Sequence, residues 1–472
     1  MWDNEKPGTI SLKKQILNTL HKTSWQAVDV LRIGFEEDGP ECPVVVWITM
    51  TPGRTPVMSA IEIADRCQVI LTSHGFPDVH CELKEGTVVR HSMQRLTHGN
   101  PGTDRDYKWN RCDVLGTTIA AEDAPYREGT KGLYLRVKST HEGQSRDEPY
   151  ALTCRHVLFN ENDNHDYLPH SSRSIPHGSL HAIQPGTSAS VTLEKLEQRL
   201  ENTTNRIMKL ENSYNLTEEK KQKQLDEQRQ VLASTNYLLP EWQALQASKS
   251  RRFGSIAYAR SLAIRSPEGV QHPFSKGFLS DWALVALDPA EHQHPIKSLR
   301  NHVFWTKQMP DELQSKQVGA TLAQVDSTGC IALRGTIPIS DIQKPPFENE
   351  QLGKNELIVA KRGRSTHLTY GSYNQIRSVL RYPSPAVGEM YSEEWLVMGH
   401  RTLVGDFNAK GAFSDYGDSG SVVWDLTGRI GGILSAGLKD KHNIAKQDTS
   451  YVTHIDSILM DMKECGLVAS VL

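Results

Sequence analysis

Near its C-terminal end the chain reads Gly417-Asp418-Ser419-Gly420-Ser421, running straight into the strand-like Val422-Val423-Trp424. A serine in a tight glycine-flanked turn presents its hydroxyl outward. The backbone N–H groups of Gly417 and Ser419 can then converge as an oxyanion hole, the arrangement that acyl transfer needs. A serine hydroxyl is a poor nucleophile, so this reading demands a base and a carboxylate to orient it. Ala151-Leu152-Thr153-Cys154-Arg155-His156-Val157-Leu158 supplies the base, His156, within an apolar run. Ser280-Asp281-Trp282-Ala283-Leu284-Val285-Ala286-Leu287 supplies the acid, Asp281, at the head of a buried strand, with Trp282 expected to help bury the carboxylate. Asp163 and Asp166, in the polar loop after His156, are rival acids. Each motif alone is common; the three together, each at the edge of an expected strand, point to nucleophilic acyl transfer without metal or organic cofactor.

In these segments the chain resembles the chymotrypsin-like (trypsin-fold) serine peptidases, whose signatures are a small-residue run ending in His, Asp-x-Ala-Leu and Gly-Asp-Ser-Gly. It is most similar to the intracellular, disulfide-free trypsin-like proteins of fungi, through Leu152-Thr153-Cys154-Arg155-His156-Val157, Asp281-Trp282-Ala283-Leu284 and the segment Lys361 to Thr366. The resemblance spans residues 113 to 463 and omits the N-terminal part and residues 190 to 250. It implies a mainly β fold, a chymotrypsin-like double β-barrel, and a serine endopeptidase working through an acyl-enzyme on a protein or peptide substrate. By matched position it puts Phe413 at the base of the primary pocket and Tyr416 beside it. Ser435 and Gly437 fall on the strand that pairs with substrate backbone, Gly437 leaving the entrance open, and Thr449 lies on the far wall. Phe413 implies a shallow apolar pocket, unless its ring turns into the core. Asp418 matches a residue that secreted relatives pair with an amine freed by cleavage. Val114-Leu115-Gly116-Thr117 could supply such an amine, or Asp418 could pair internally. Ser421, where relatives commonly carry Gly, and Phe413 leave an alternative open: a catalytically latent or inactive protease-fold binding scaffold.

The 472 residues suffice for two or three domains. Lys and Arg total 53 against 56 Asp and Glu, a net charge of −3 that gives no global pull toward nucleic acid or anionic membrane. No apolar run approaches the roughly 18 residues of a membrane span, and the first residues carry no apolar leader. Seven cysteines at scattered positions match no metal-ligand spacing, and their odd number suits a reducing compartment, so a cytoplasmic location is expected.

Two further parts must position or accompany the site. Residues 1–100 read as a small α/β domain: helix from Ser11 to Lys22, strands from Ala27 to Phe35 and Pro43 to Thr49, helix from Pro56 to Leu71, and strand from Val79 to Val89. Residues 96–112 read as a linker and 113–472 as the peptidase-like domain. Inserted at about 190–248 is a helical hairpin. Leu193, Leu196, Leu200, Thr203, Ile207, Leu210 and Tyr214 mark its first seam, and a second helix should start at Thr217 and end at Leu239 before Pro240. Hairpin and N-terminal domain each offer a route to a homo-oligomer. Ile455, Ile458, Leu459 and Met462 mark one face of a closing helix.

Overall fold

A computed structural model describes residues 2, 10–33, 42–90, 113–141, 144–160, 162–168, 180–266, 277–292, 294–305, 322–349, 354–384, 388–399, 412–439 and 449–472. The expected linker at 96–112 lies outside them. The fold is mainly β, dominated by two large sheets. In the larger, the strands His367–Tyr373, Ile358–Gly363, Val422–Asp425, Ile430–Lys439, Thr449–His454 and Gly388–Gly399 are neighbours in that order. Pairing of Gly371 with Gly399 and Tyr373 with Val397 joins the last strand to the first, closing these six into a ring. Phe413, Val423, Leu434, Trp395 and Val452 pack together within its core. The second sheet runs Val468–Val471, Leu133–His141, Gln144–Thr153, Ala283–Leu287, Arg252–Ala259, His181–Ile183, Thr118–Ala121 and Ala124–Thr130. Tyr134, Leu152, Trp282, Val422 and Trp424 belong to one core cluster, so the two sheets share an interior. The helix Ile455–Glu464 buries Ile455, Ile458 and Met462, as its spacing predicts, and the chain ends in a short strand the sequence reading did not include.

The N-terminal stretch forms its expected β-β-α-β order, with Val44–Met50 and His80–Glu85 parallel across the helix Val57–Ser73. Leu12, Ile16 and Leu17 of the first helix pack with Ile63, Cys67 and Leu71. Its sheet is not self-contained. Trp25–Arg32 is buried along almost its whole length, so its free edge needs a partner, and it finds one in Ser378–Ser384 through Ala27–Leu380 and Val28–Val379. The buried pair Lys13 Nζ–Glu393 Oε1 at 2.5 Å and the hydroxyl of Tyr451, which donates to Asp29 at 3.3 Å, fasten the same junction. The single strand expected from Val79 to Val89 is two. It breaks at Gly86, whose N–H donates to the Met50 carbonyl at 3.0 Å, and residues Thr87–Arg90 leave to pair with Ala436–Lys439.

Residues 322–325 have no regular structure. The insertion is an antiparallel hairpin of Ser188–Glu211 and Glu218–Ala244. The second helix does not stop at Pro240. Leu238 and Trp242, one on either side of the proline, are both buried against Leu196 and Ala189, and this packing outweighs the lost backbone bond. No helix among the described residues is long and apolar enough to cross a membrane.

The hairpin should therefore be fixed at its root and free at its tip. Leu238→Ala, at a fully buried site, should cost about 2–5 kcal/mol, whereas Tyr214→Ala, at a side chain 96% exposed, should stay within about 0.5 kcal/mol. Urea denaturation of the two variants checks this.

Candidate active site

The strand Gln144–Thr153 delivers the chain into a four-residue helix, Arg155–Leu158, that carries His156. Asp281 sits between Phe278–Ser280 and Ala283–Leu287. Ser419 lies in a turn in which Asp418 N–H donates to the Asp415 carbonyl and Ser421 N–H to the Asp418 carbonyl, both at 3.0 Å. Gly417 at φ 95° and Gly420 at φ 92° give the turn its shape. A side chain at Gly420 would collide with the Thr130 carbonyl, so glycine is required there on two counts.

These segments bring the three residues together. His156 Nδ1 lies 2.5 Å from Asp281 Oδ2, and His156 Nε2 lies 2.9 Å from Ser419 Oγ. The His156 backbone N–H donates to Asp281 Oδ1 at 3.0 Å, so both carboxylate oxygens hold the same residue. An ionised carboxylate only accepts, which fixes Nδ1 as the donor and leaves Nε2 of the neutral ring to accept the Ser419 hydroxyl. That hydroxyl has a second acceptor, the Ser435 carbonyl, at 3.2 Å. All three residues are buried, Ser419 completely. Burial alone would raise the Asp281 pKa; the adjoining His156, through charge and hydrogen bonds, outweighs it and holds the carboxyl below its usual range. The rival acids are engaged elsewhere, Asp163 with the Tyr167 hydroxyl and Asp166 with Ser261 N–H.

Asp281 is itself held in place. The carboxylate of Asp461, in the closing helix, accepts from Ser280 Oγ and from Trp282 Nε1, each at 2.6 Å. The residues on both sides of Asp281 are thus pinned to one acceptor. Nothing in the local sequence marks Asp461 beyond its being an acid on an otherwise apolar helix face.

Asp418 pairs internally. It is fully buried, its Oδ2 lies 3.1 Å from Lys361 Nζ, and it accepts from Thr366 Oγ1 at 2.6 Å, Ser365 N–H at 2.7 Å and Asp415 N–H at 3.0 Å. Burial opposes ionisation, but Lys361 and these donors bring its pKa down to about 2. Val114 to Thr117 are tied into another part of the fold, Leu115 N–H to the His302 carbonyl and Gly116 N–H to the Lys131 carbonyl. The sequence signal for Lys361 was its position after Ile358-Val359-Ala360: a lysine facing a buried interior needs a carboxylate.

The residues matched to substrate binding divide. Ser435 and Gly437 lie on the strand beside Ser419, but Gly437 is not open: Val89 pairs with it. Thr449 is buried on the neighbouring strand. Tyr416 is half-buried, its N–H donating to Asp415 Oδ1 at 2.7 Å. Phe413 is fully buried among Val359, Trp395 and Leu434, so its ring fills the core, and its carbonyl accepts from Thr369 Oγ1 at 2.7 Å. The N–H groups of Gly417 and Ser419, expected to face an oxyanion, make none of the backbone bonds that shape the turn.

Cys154, His156 and Asp281 offer ligand atoms within 4.8 Å of one another, a spacing that could hold a metal ion. The donor chemistry does not suit one. Burial, together with nearby Asp281, pushes the Cys154 thiol well above its usual range, so it keeps its proton and donates to the Leu434 carbonyl at 3.4 Å. Both His156 nitrogens are already engaged.

One buried acid near the site remains protonated to an unusual pH. Glu394 accepts from Leu279 N–H at 2.8 Å and Thr453 Oγ1 at 3.0 Å, and burial raises its pKa from 4.5 to about 7. Between those values the folded chain holds a proton that the unfolded chain releases. Stability should fall as pH rises through this window, by up to about 1.4 kcal/mol per pH unit, and Glu394→Gln should flatten the profile. Asp418 acts in the opposite sense: its stabilisation is present above the ordinary carboxylate range and is lost as pH falls toward about 2. Lys361→Met should cost about 3–5 kcal/mol by leaving Asp418 charged and unpaired, and adding Asp418→Asn should recover part of that. Urea denaturation across pH tests both expectations.

No family model matches the chain, and no curated protein matches it. Among solved structures, the membrane fusion protein Spr0693 from Streptococcus pneumoniae R6 aligns over 65% of this chain and 99% of its own at 11% identity, with a TM-score of 0.17. A likeness that slight carries no argument about fold or function.

Proposed function

We propose that the chain is a serine endopeptidase of the chymotrypsin-like type, in which the closed ring and the second sheet correspond to the two barrels. The observation that supports this best is the continuous hydrogen-bonded path from Asp281 through His156 to Ser419. Ser419 Oγ attacks a peptide carbonyl while His156 Nε2 takes its proton, and Asp281 holds the tautomer and stabilises the imidazolium. The N–H groups of Gly417 and Ser419 receive the oxyanion. His156 then gives its proton to the departing amine, leaving an acyl group on Ser419. A water deprotonated by the same imidazole cleaves that ester and restores the enzyme. The substrate is a protein or peptide, cleaved within a cell, with no cofactor in the cycle.

Complete burial of Ser419 favours a second form of this reading, in which the protein is latent in this conformation. Reaction with a fluorophosphonate probe separates enzyme from scaffold. Wild-type protein should be labelled, and Ser419→Ala and His156→Ala should each lose labelling, with peptidase kcat falling on the order of 10⁴–10⁶-fold. A His156→Ala variant that labels equally would count against the triad, whereas a folded wild-type protein that stays unlabelled would favour the latent or scaffold form over the active enzyme.

A further inference from the structure

The strand Ile430–Lys439 has one edge paired to Thr449–His454 over residues 432–437. Its other edge is shared by three segments in succession. Val422–Asp425 occupies residues 430–433. The catalytic turn comes next, with Gly420 N–H donating to the Leu434 carbonyl at 2.8 Å and Ser419 Oγ donating to the Ser435 carbonyl at 3.2 Å. Thr87–Arg90 then takes residues 436–439, antiparallel, with Arg90 opposite Ala436, Val89 opposite Gly437, Val88 opposite Leu438 and Thr87 opposite Lys439.

The direction of this last segment is informative. From Thr87 to Arg90 the chain runs toward Ser419, and Arg90 stands opposite Ala436, the residue next to the one whose carbonyl Ser419 contacts. On the serine-peptidase reading, with the strand carrying Ser435 and Gly437 pairing with substrate backbone, a polypeptide to be acylated onto Ser419 would approach in that sense, its residues preceding the scissile carbonyl paired to 436–439. Alternation of bonding along an antiparallel pair adds a second match. Val88 N–H points away from the sheet and donates to Gln26 Oε1 at 2.7 Å, so the ladder bonds fall on Val89 with Gly437 and on Thr87 with Lys439. Arg90 extends this placement to the acid of the triad: its charge is among those that favour the ionised form of Asp281, and its guanidinium lies 5.4 Å from the centre of the Tyr382 ring.

The segment is also built to be replaceable. Its four described residues are only half-buried. Its outer edge is held by the Gln26 side chain, and its start by the Gly86 N–H bond to Met50.

We infer that Thr87–Arg90 is a tethered mimic of an extended peptide, seated on the acyl-side binding edge, and that a polypeptide substrate pairs with Ala436–Lys439 only after this strand has left. The inference rests on the serine-peptidase reading and specifies how that site is regulated. The ligand class is an unfolded or extended polypeptide recognised through its backbone, by addition of a strand to an exposed edge. While Thr87–Arg90 is seated, the apparent affinity for such a substrate is reduced by the fraction of molecules whose edge is free.

The test uses the full-length chain with two probes: a fluorophosphonate, which needs only Ser419, and fluorescein-labelled casein, which needs the edge. Val89→Pro removes the N–H that bonds Gly437; Gln26→Ala removes the outer anchor without altering the strand and stands in should the proline variant fail to fold. The expected result is labelling of wild type and variants alike, with casein kcat/KM raised about tenfold or more in the variants and reduced again by a synthetic peptide of residues 84–90. Equal labelling with casein hydrolysis unchanged or lowered in the folded variants would overturn the inference and leave the peptidase reading intact. Absence of labelling in every folded form would remove the peptidase reading, and this inference with it.

Discussion

The arrangement depends on a charge placed where solvent cannot reach it. Asp281 is buried, and an ionised carboxylate in that position is costly unless its lone pairs are used. His156 uses both oxygens, one through its ring and one through its backbone N–H. That bond joins residues 125 positions apart in sequence, and it can form only if the strand ending at Thr153 and the strand beginning at Ala283 are neighbours. They are, with Ala283 paired to Thr153 and Leu284 to Leu152. Strand register and the hydrogen-bonded contact of Asp281 with His156 are therefore one constraint. Asp461 adds to it by gripping Ser280 and Trp282, which limits how far Asp281 can move from the imidazole.

A second buried carboxylate shapes the turn that carries Ser419. Asp418 gathers Lys361 and donors from Thr366, Ser365 and Asp415, so the loop that follows Ile358–Gly363 and the loop that carries Ser419 are locked to a common centre. The ammonium is part of the folded chain, and the turn takes its form without a partner released from elsewhere. Satisfied networks of this type rigidify what they hold, as the oxyanion-binding role proposed for this turn would require.

The contact of Asp281, His156 and Ser419 was legible in sequence because each carries its own local signal: glycines around Ser419, an apolar run before His156, a buried strand after Asp281. Helix faces were legible for a similar reason, since Ile455, Ile458 and Met462 follow one period. Residues acting through long-range contacts were not. Asp461 and Glu394 sit in segments that look unremarkable until the fold sets them beside Trp282 and Thr453. The break at Gly86 was invisible because the partner of Thr87–Arg90 lies some 350 residues onward, opposite Lys439 to Ala436. Pro240 misled in the other direction, where tertiary burial of Leu238 and Trp242 overrode a local helix stop. Phe413, placed by position at a pocket floor, belongs to the core because its neighbours Val423 and Leu434 enclose it.

The central claim is that the Asp281–His156–Ser419 path makes one hydroxyl, and only that one, nucleophilic. Stopped-flow reaction with p-nitrophenyl acetate, followed by peptide mapping of the quenched protein, addresses it most directly. The account predicts a burst approaching one equivalent of nitrophenol and an acetyl group on the peptide containing Ser419. A slow release without a burst, with acetyl groups spread over surface lysines and Ser419 unmodified, would contradict it.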